Sequence, residues 1–202
     1  MTTRLIIARH GNTFDAGDVI RRVGLRTDLP LSSSGIAQAK KLGLYLRMYA
    51  LLPDLVYTSE LQRTRQTAGI ALQESGNTTD VAAEAQFNEI DYGVDEDQPE
   101  TAVIARLGEA TLAAWERDAT VPEGWLVDPA GLRQMWQDFA ARVMTEQAGK
   151  TVLVVTSNGI ARFALGLCPA AAVSSGRLAT GALAVLTNDG QGWALKDWNL
   201  RP

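Results

Sequence analysis

The sequence predicts an α/β protein, a three-layer α/β/α sandwich built on a mainly parallel mixed sheet. Three observations carry this. Short β-branched apolar runs recur at Thr3 to Ala8, Leu55 to Thr58 and Thr151 to Thr156; segments of helical period follow them; and the chain closes on two further runs joined through Asn188-Asp189-Gly190. Apolar runs with little alternation are strands buried on both faces, and strands that alternate with helices form parallel sheets with crossover connections. The closing pair reads as a β-hairpin. With 202 residues, 46% apolar and 21% charged, a single domain over 1–202 has chain enough to close its own core.

The first strand, Thr3 to Ala8, ends on Arg9-His10-Gly11, and His10 is the only histidine in the chain. An imidazole, a permanent cation and a flexible backbone delivered to one point make a phosphate site; the plainer alternative is a capped strand end with a surface arginine. Asp15 to Arg26 follows neither period and is a loop. Its Arg21, Arg22 and Arg26 either meet an anionic substrate or are solvated. Ser32 is placed as the N-cap of a helix whose stripe is Ile36, Ala39, Leu42, Gly43, Leu46, Tyr49 and Ala50, with Pro53 beyond its end. After the strand at Leu55 to Thr58, Ser59-Glu60-Leu61 starts a second helix with Leu61, Thr64, Ala68, Ala71 and Leu72 on one face, stopped at Gly76-Asn77. Arg63 and Arg65 fall in its first turns, where free N–H groups and the helix dipole attract anions.

Thr79 to Phe87 reads as a shorter, weaker strand. The loop that follows carries five carboxylates within nine positions, Glu89, Asp91, Asp95, Glu96 and Asp97, either a solvated loop or the source of a proton donor. Val103, Leu107, Thr111, Ala114 and Trp115 place a helix over Thr101 to Arg117. Leu132, Met135, Trp136, Phe139 and Val143 place another over Gly131 to Ala148, with a linker from Asp118 to Pro129 that holds Trp125. These tryptophans read as core rather than as a ligand platform. Thr151 to Thr156 is the strongest strand signal, and Ser157-Asn158-Gly159 turns it into a helical pattern from Ile160 to Leu167, a second strand-to-helix junction of the anion-binding kind. Gly181 to Leu186 and Trp193 to Trp198 form the hairpin.

Composition excludes several classes. Nineteen Lys and Arg against 23 Asp and Glu give a net charge of −4, which argues against a non-specific nucleic-acid binder. Cys168, the one cysteine, has no partner for an internal disulfide and reads as a small buried side chain, and no Cys and His cluster exists to hold zinc. The expectation is therefore no metal and no cofactor. No segment approaches the ~20 apolar residues of a membrane helix and the first residues lack a signal-peptide pattern, so a cytoplasmic protein with no membrane partner is expected.

Four motifs stand in a telling order: Arg9-His10-Gly11-Asn12-Thr13; Gly24, Asp28, Leu31 to Gly35 and Gln38-Ala39; Ser59 to Ala68; and Asn88-Glu89-Ile90-Asp91-Tyr92-Gly93. With them the chain resembles the histidine phosphatase superfamily, the phosphoglycerate mutase-like group, over nearly its whole length. The resemblance implies a nucleophilic histidine that takes a phosphoryl group from a phosphomonoester and passes it to water or a second substrate, without a metal. It assigns His10 as nucleophile, Arg9 and Arg63 as the phosphoryl clamp and Glu89 as general acid; Asn12, Ser157 and Asn158 are expected as further phosphate contacts. A helical lid insertion is expected around 95–148. The planar, permanently charged arginine fork suits the clamp, and Glu89 needs a raised pKa to be protonated near neutrality.

The chain departs from the family pattern twice. Ser157 stands where that pattern places a second histidine, and losing such a donor costs about 100- to 1000-fold in rate; Ser157 and the backbone N–H groups of Asn158 and Gly159 are its remaining donors. Asp15-Ala16 replaces a Trp-Asn pair, which favours a phosphatase over a mutase. Two classes stay open: a phosphomonoesterase acting through phospho-His10 on a small-molecule phosphomonoester, and a module that binds such an ester or inorganic phosphate without turnover. A protein phosphohistidine phosphatase is disfavoured by the lid.

Overall fold

The computed structural model describes residues 1–171 and 173–202. Strands β1 (Thr3–Arg9), β2 (Leu55–Thr58), β3 (Val81–Ala83), β4 (Thr151–Thr156), β5 (Leu183–Asn188) and β6 (Trp193–Leu200) form one sheet in the order β3-β2-β4-β1-β5-β6. The four strands from β3 to β1 run parallel, and β5 and β6 close the other edge antiparallel. This is the mixed, mainly parallel α/β fold that the sequence predicts.

Alternation within β1 sets the layers. Leu5 and Ile7 face one side of the sheet, Ile6 and Ala8 the other, and all four are fully buried. On the Ile6 side lie helices α1 (Ser33–Met48) and α2 (Gln62–Ser75), through Leu42, Leu46, Ala68, Ala71 and Leu72. On the Ile7 side lies helix α5 (Pro129–Glu146), through Trp136, Phe139 and Val143, where Phe87 meets Phe139 edge-on at 5.1 Å between centroids. Trp115, Trp125 and Trp136 are all buried, so the tryptophans are core as expected.

Several elements differ from expectation for local reasons. Ser32 does cap α1, its Oγ accepting from the Gly35 N–H at 3.3 Å, but Ile36 and Tyr49 at the two ends of the expected stripe are exposed. The weak strand shrinks to β3, and Phe87 is buried from a 3-10 turn (Ala85–Phe87) instead. The helix expected over 101–117 breaks at Gly108, whose φ of +79° favours glycine, into α3 (Glu100–Leu107) and α4 (Glu109–Asp118). After β4 the α-helical turn α6 (Asn158–Ala161) passes at once into a 3-10 helix, Arg162–Leu167. Helices α3 and α4 border a cleft, whereas α5 belongs to the core. Among the described residues no helix is long and apolar enough to cross a membrane.

Candidate active site

Because β1 and β4 are parallel neighbours with Arg9 opposite Thr156, the residues that follow each strand emerge side by side at the carboxyl end of the sheet, where open α/β sheets place ligands. There a cleft of about 830 Å³ is lined by Arg9, His10, Asn12, Glu89 and Asn158, with Tyr92, Glu116 and Arg177 among its walls. The turn after β1 is held by close backbone packing. A Cβ on Gly11 would lie 2.4 Å from the Gly35 carbonyl oxygen, so α1 starts directly against the triplet. The Gly11 N–H donates to Thr67 Oγ1 at 3.1 Å, which ties the turn to α2.

His10 is buried and its two ring nitrogens have different partners. Nδ1 lies 2.7 Å from the Gly11 carbonyl oxygen, which can only accept, so Nδ1 carries the proton. The lone pair on Nε2 then accepts from Arg63 Nε at 3.3 Å. Burial, then Arg63 and Arg9, lower the His10 pKa well below 6.5, so the resting ring is neutral above that value. Arg63 is wholly buried and fixed by donation to the carbonyls of Thr27 at 2.8 Å and Gly24 at 3.0 Å. Arg9 donates to the Leu178 carbonyl at 2.9 Å.

Glu89 faces this cluster from the loop before Tyr92. One carboxylate oxygen accepts the Ile90 N–H at 3.0 Å and the other the Gly159 N–H at 3.4 Å. Burial raises its pKa above 4.5, against the opposing pull of those N–H groups and of Arg63 and Arg9. The other four carboxylates of the acidic loop serve structure. Asp91 pairs with Arg26, Asp95 with Arg106 and Trp125, and Asp97 with Arg21, while Glu96 accepts from the N–H groups of Gly24, Arg26 and Tyr92. Arg22 in turn pairs with Glu100 and stacks on Tyr92 and Trp125. The arginines of the 15–26 loop are thus paired to acids of this region, and Arg65 is exposed away from the cleft.

The remaining expected residues fall into place unevenly. Asn12 is buttressed, its N–H donating to Gln38 and its side chain linking Ser34 and Thr180. Asn158 borders the cleft and its Oδ1 accepts the Leu178 N–H at 2.7 Å. Ser157 is fully buried, does not border the cleft, and its hydroxyl has no partner among the described residues. The Gly159 N–H, expected as a free phosphate donor, is engaged by Glu89 instead. Asp15, in place of the Trp-Asn pair, accepts the N–H groups of Ser33 and Ser34 at the start of α1, and hydrogen bonds from Ser34 hold its pKa at about 2. Sequence reasoning missed Glu116. The signal was there: Glu109, Leu112, Ala113 and Glu116 recur at i, i+3, i+4 and i+7 and all line the cleft, whereas α4 was read only for its apolar stripe.

Comparison with known proteins agrees with this geometry. The profile of the histidine phosphatase superfamily (branch 1) matches residues 5–201. The 2,3-bisphosphoglycerate-dependent phosphoglycerate mutase of Bifidobacterium longum (strain DJO10A) is 32% identical over 123 residues, which is 60% of this chain and 49% of that protein. The chain therefore spans about half the length of the curated relatives it matches. Among solved structures, a mycobacterial glucosyl-3-phosphoglycerate phosphatase superposes with a TM-score of 0.79 at 20% identity, covering 98% of this chain and 99% of that one. The phosphoglycerate mutase of Bacillus anthracis str. Sterne gives 0.80 at 16% identity, covering 98% and 93%. At such identities these structures share the fold.

Proposed function

Since the chain belongs to the histidine phosphatase superfamily, we propose that it is a phosphomonoester phosphatase acting through a phosphohistidine on His10, without a metal. The observation that carries this reading is the tautomer of His10, which presents an unprotonated Nε2 to the buried Arg63 guanidinium, next to the half-buried Arg9. In the first step the Nε2 lone pair attacks phosphorus, the ester P–O bond breaks, and the leaving oxygen takes the proton of Glu89. In the second, water attacks the phosphoryl group, gives its proton to the Glu89 carboxylate, and the P–N bond electrons return to Nε2. Arg9 and Arg63 bind the non-bridging oxygens; fixed donors of this kind stabilise the charge that develops in the transition state. Asn12 and Asn158 complete the phosphate contacts, and α3 with α4 forms a lid over the leaving group.

Ser157 stands in the position of the family's second histidine in this reading. Its buried, unpartnered hydroxyl reaches a phosphoryl oxygen only if the floor rearranges, which supports slower turnover and keeps a second reading open. In that second reading the protein binds a phosphate ester through Arg9 and Arg63 and does not hydrolyse it. The engagement of Asp15 as a helix cap favours either reading over a phosphotransferase of the mutase type.

The deciding experiment is hydrolysis of p-nitrophenyl phosphate by wild type and His10→Ala, with acid-labile label trapped on His10. Turnover and label that both vanish in His10→Ala support the enzyme. Equal rates in the two proteins overturn it. Tight ester binding that is lost in Arg63→Ala, with no label and no turnover, establishes the second reading.

A further inference from the structure

The guanidinium of Arg63 is seated on a stretch of chain that belongs to no helix or strand. Its Nη1 donates to the Thr27 carbonyl at 2.8 Å and its Nη2 to the Gly24 carbonyl at 3.0 Å, which leaves Nε to meet His10 Nε2. Arg63 is therefore only as fixed as loop 24–27. The loop rests in turn on one carboxylate, Glu96. Its Oε1 accepts from the Gly24 N–H at 3.1 Å, the Arg26 N–H at 2.9 Å and Thr27 Oγ1 at 2.8 Å. Gly24 and Thr27 are each gripped twice, by Glu96 through an N–H or a hydroxyl and by Arg63 through a carbonyl.

The second oxygen of Glu96 accepts the Tyr92 N–H at 3.1 Å, and beside it the Leu25 N–H donates to the Ile90 carbonyl at 3.0 Å. One carboxylate thus joins the seat of Arg63 to the segment that carries Glu89. The junction has no slack: a Cβ on Gly24 would lie 2.3 Å from Glu96 Oε2, 2.6 Å from Tyr92 Cδ2 and 2.7 Å from the Ile90 carbonyl oxygen. The neighbouring acids are used otherwise, Asp91 and Asp97 on exposed arginines and Asp95 on Arg106 and Trp125. We propose that Glu96 is a positioning residue of the phosphoryl clamp, which through loop 24–27 fixes the Arg63 guanidinium against His10 and sets its place relative to Glu89. A displacement of about 1 Å at a reacting centre can cost about 100-fold in rate, so a carboxylate that touches neither substrate nor nucleophile can govern turnover.

This role rests on the phosphatase reading, but the placement of Arg63 is measurable without turnover. His10 is the only histidine in the chain, so its ring signals in NMR need no assignment. Burial, Arg63 and Arg9 hold its pKa well below 6.5, against the Gly11 carbonyl. In Glu96→Ala the seat loosens, Arg63 withdraws, and the His10 titration midpoint rises toward 6.5. Removal of a nearby negative charge by itself lowers a histidine pKa, so a rise reports the movement of Arg63. Thr27→Val, which deletes one bond to Glu96 and no charge, gives a smaller rise. Glu96→Gln, which keeps an acceptor oxygen, falls between wild type and Glu96→Ala. On p-nitrophenyl phosphate kcat/KM drops about 100-fold in Glu96→Ala and recovers in part in Glu96→Gln. A His10 midpoint unmoved in folded Glu96→Ala, or in Thr27→Val where the alanine variant does not fold, overturns the proposal, as does a kcat/KM of Glu96→Ala within about twofold of wild type. If wild type turns over no ester, the phosphatase reading falls, and the titration alone decides whether Glu96 positions Arg63.

Discussion

The contact between Gly159 and Glu89 offers a sharp test of how the acid is held. In Gly159→Ala the new Cβ would lie 2.2 Å from Glu89 Oε1, 3.1 Å from its Cδ and 3.0 Å from Ile90 Cγ1, well inside the 3.4 Å at which ordinary contact begins. The backbone at 159 is helical, so the cost is steric rather than conformational. The oxygen that must move accepts the Ile90 N–H at 3.0 Å, and the Gly159 N–H holds the other oxygen. Overpacking of this kind costs about 1–3 kcal/mol, which in a chain of 202 residues lowers Tm by about 2–10 °C. Displacing a general acid costs about 100- to 10,000-fold in rate, and the loss must depend on the leaving group. Alkyl phosphates need the proton and lose most of their kcat; p-nitrophenyl phosphate, whose leaving group is a weak base, loses far less. Parallel kinetics on the two esters, with thermal unfolding as the check on folding, read this directly. Equal losses on both esters, or wild-type kcat on the alkyl ester, refute the role assigned to Glu89.

Four further outcomes can be checked. In the proposed mechanism the reactive form has neutral His10 and protonated Glu89, so kcat/KM falls on the alkaline side as Glu89 ionises, above the 4.5 of a free glutamate; that limb disappears in Glu89→Gln. Because His10 has a folded pKa below its unfolded 6.5, its contribution to stability is complete above 6.5 and is lost as pH falls toward the folded value, so wild type weakens relative to His10→Gln below pH 6.5 in pH-dependent unfolding. Arg63→Lys cannot serve Gly24, Thr27 and His10 together; kcat/KM should drop about 100- to 1000-fold, measured by steady-state kinetics, with a lowered Tm from the two abandoned buried carbonyls. Gly69→Ala, mid-α2 with open space around its Cβ, should add about 0.5–1 kcal/mol in denaturant unfolding.

Most of the fold was legible because burial on both faces leaves a strong local mark. β1 and β4 are continuous apolar runs, and every residue of β4 is buried. Elements that depend on partners were less so. β3 has only three exposed residues and exists by pairing with β2, and Ile36 and Tyr49 fit the α1 period yet fall beyond the reach of the sheet. In the site, the triplet and Arg63 could be placed because each sits at a strand end or helix start whose position the sequence fixes by period. Ser157 also sits at a strand end, but its burial away from the cleft depends on how β4 hands over to α6. Glu116 was harder to find because the line it shares with Glu109, Leu112 and Ala113 mixes polar and apolar residues, so the spacing alone does not mark that face of α4 as the one that borders the cleft.

The arginines show why a motif alone could not separate scaffold from site. Arg21, Arg22, Arg26 and Arg106 each meet a carboxylate, with Arg26 and Asp91 at 3.0 Å. Among the described residues Arg9 and Arg63 form no ion pair; their partners are the carbonyls of Leu178, Thr27 and Gly24 and the ring of His10. Burial lowers the pKa of both, because carbonyl dipoles orient a guanidinium without neutralising it and a buried charge without a counter-charge is costly. Glu89, the carboxylate that acts on both, is itself pushed toward its neutral form by burial. Uncompensated positive charge is thus local to Arg9 and Arg63 beside His10, in a protein whose net charge is −4.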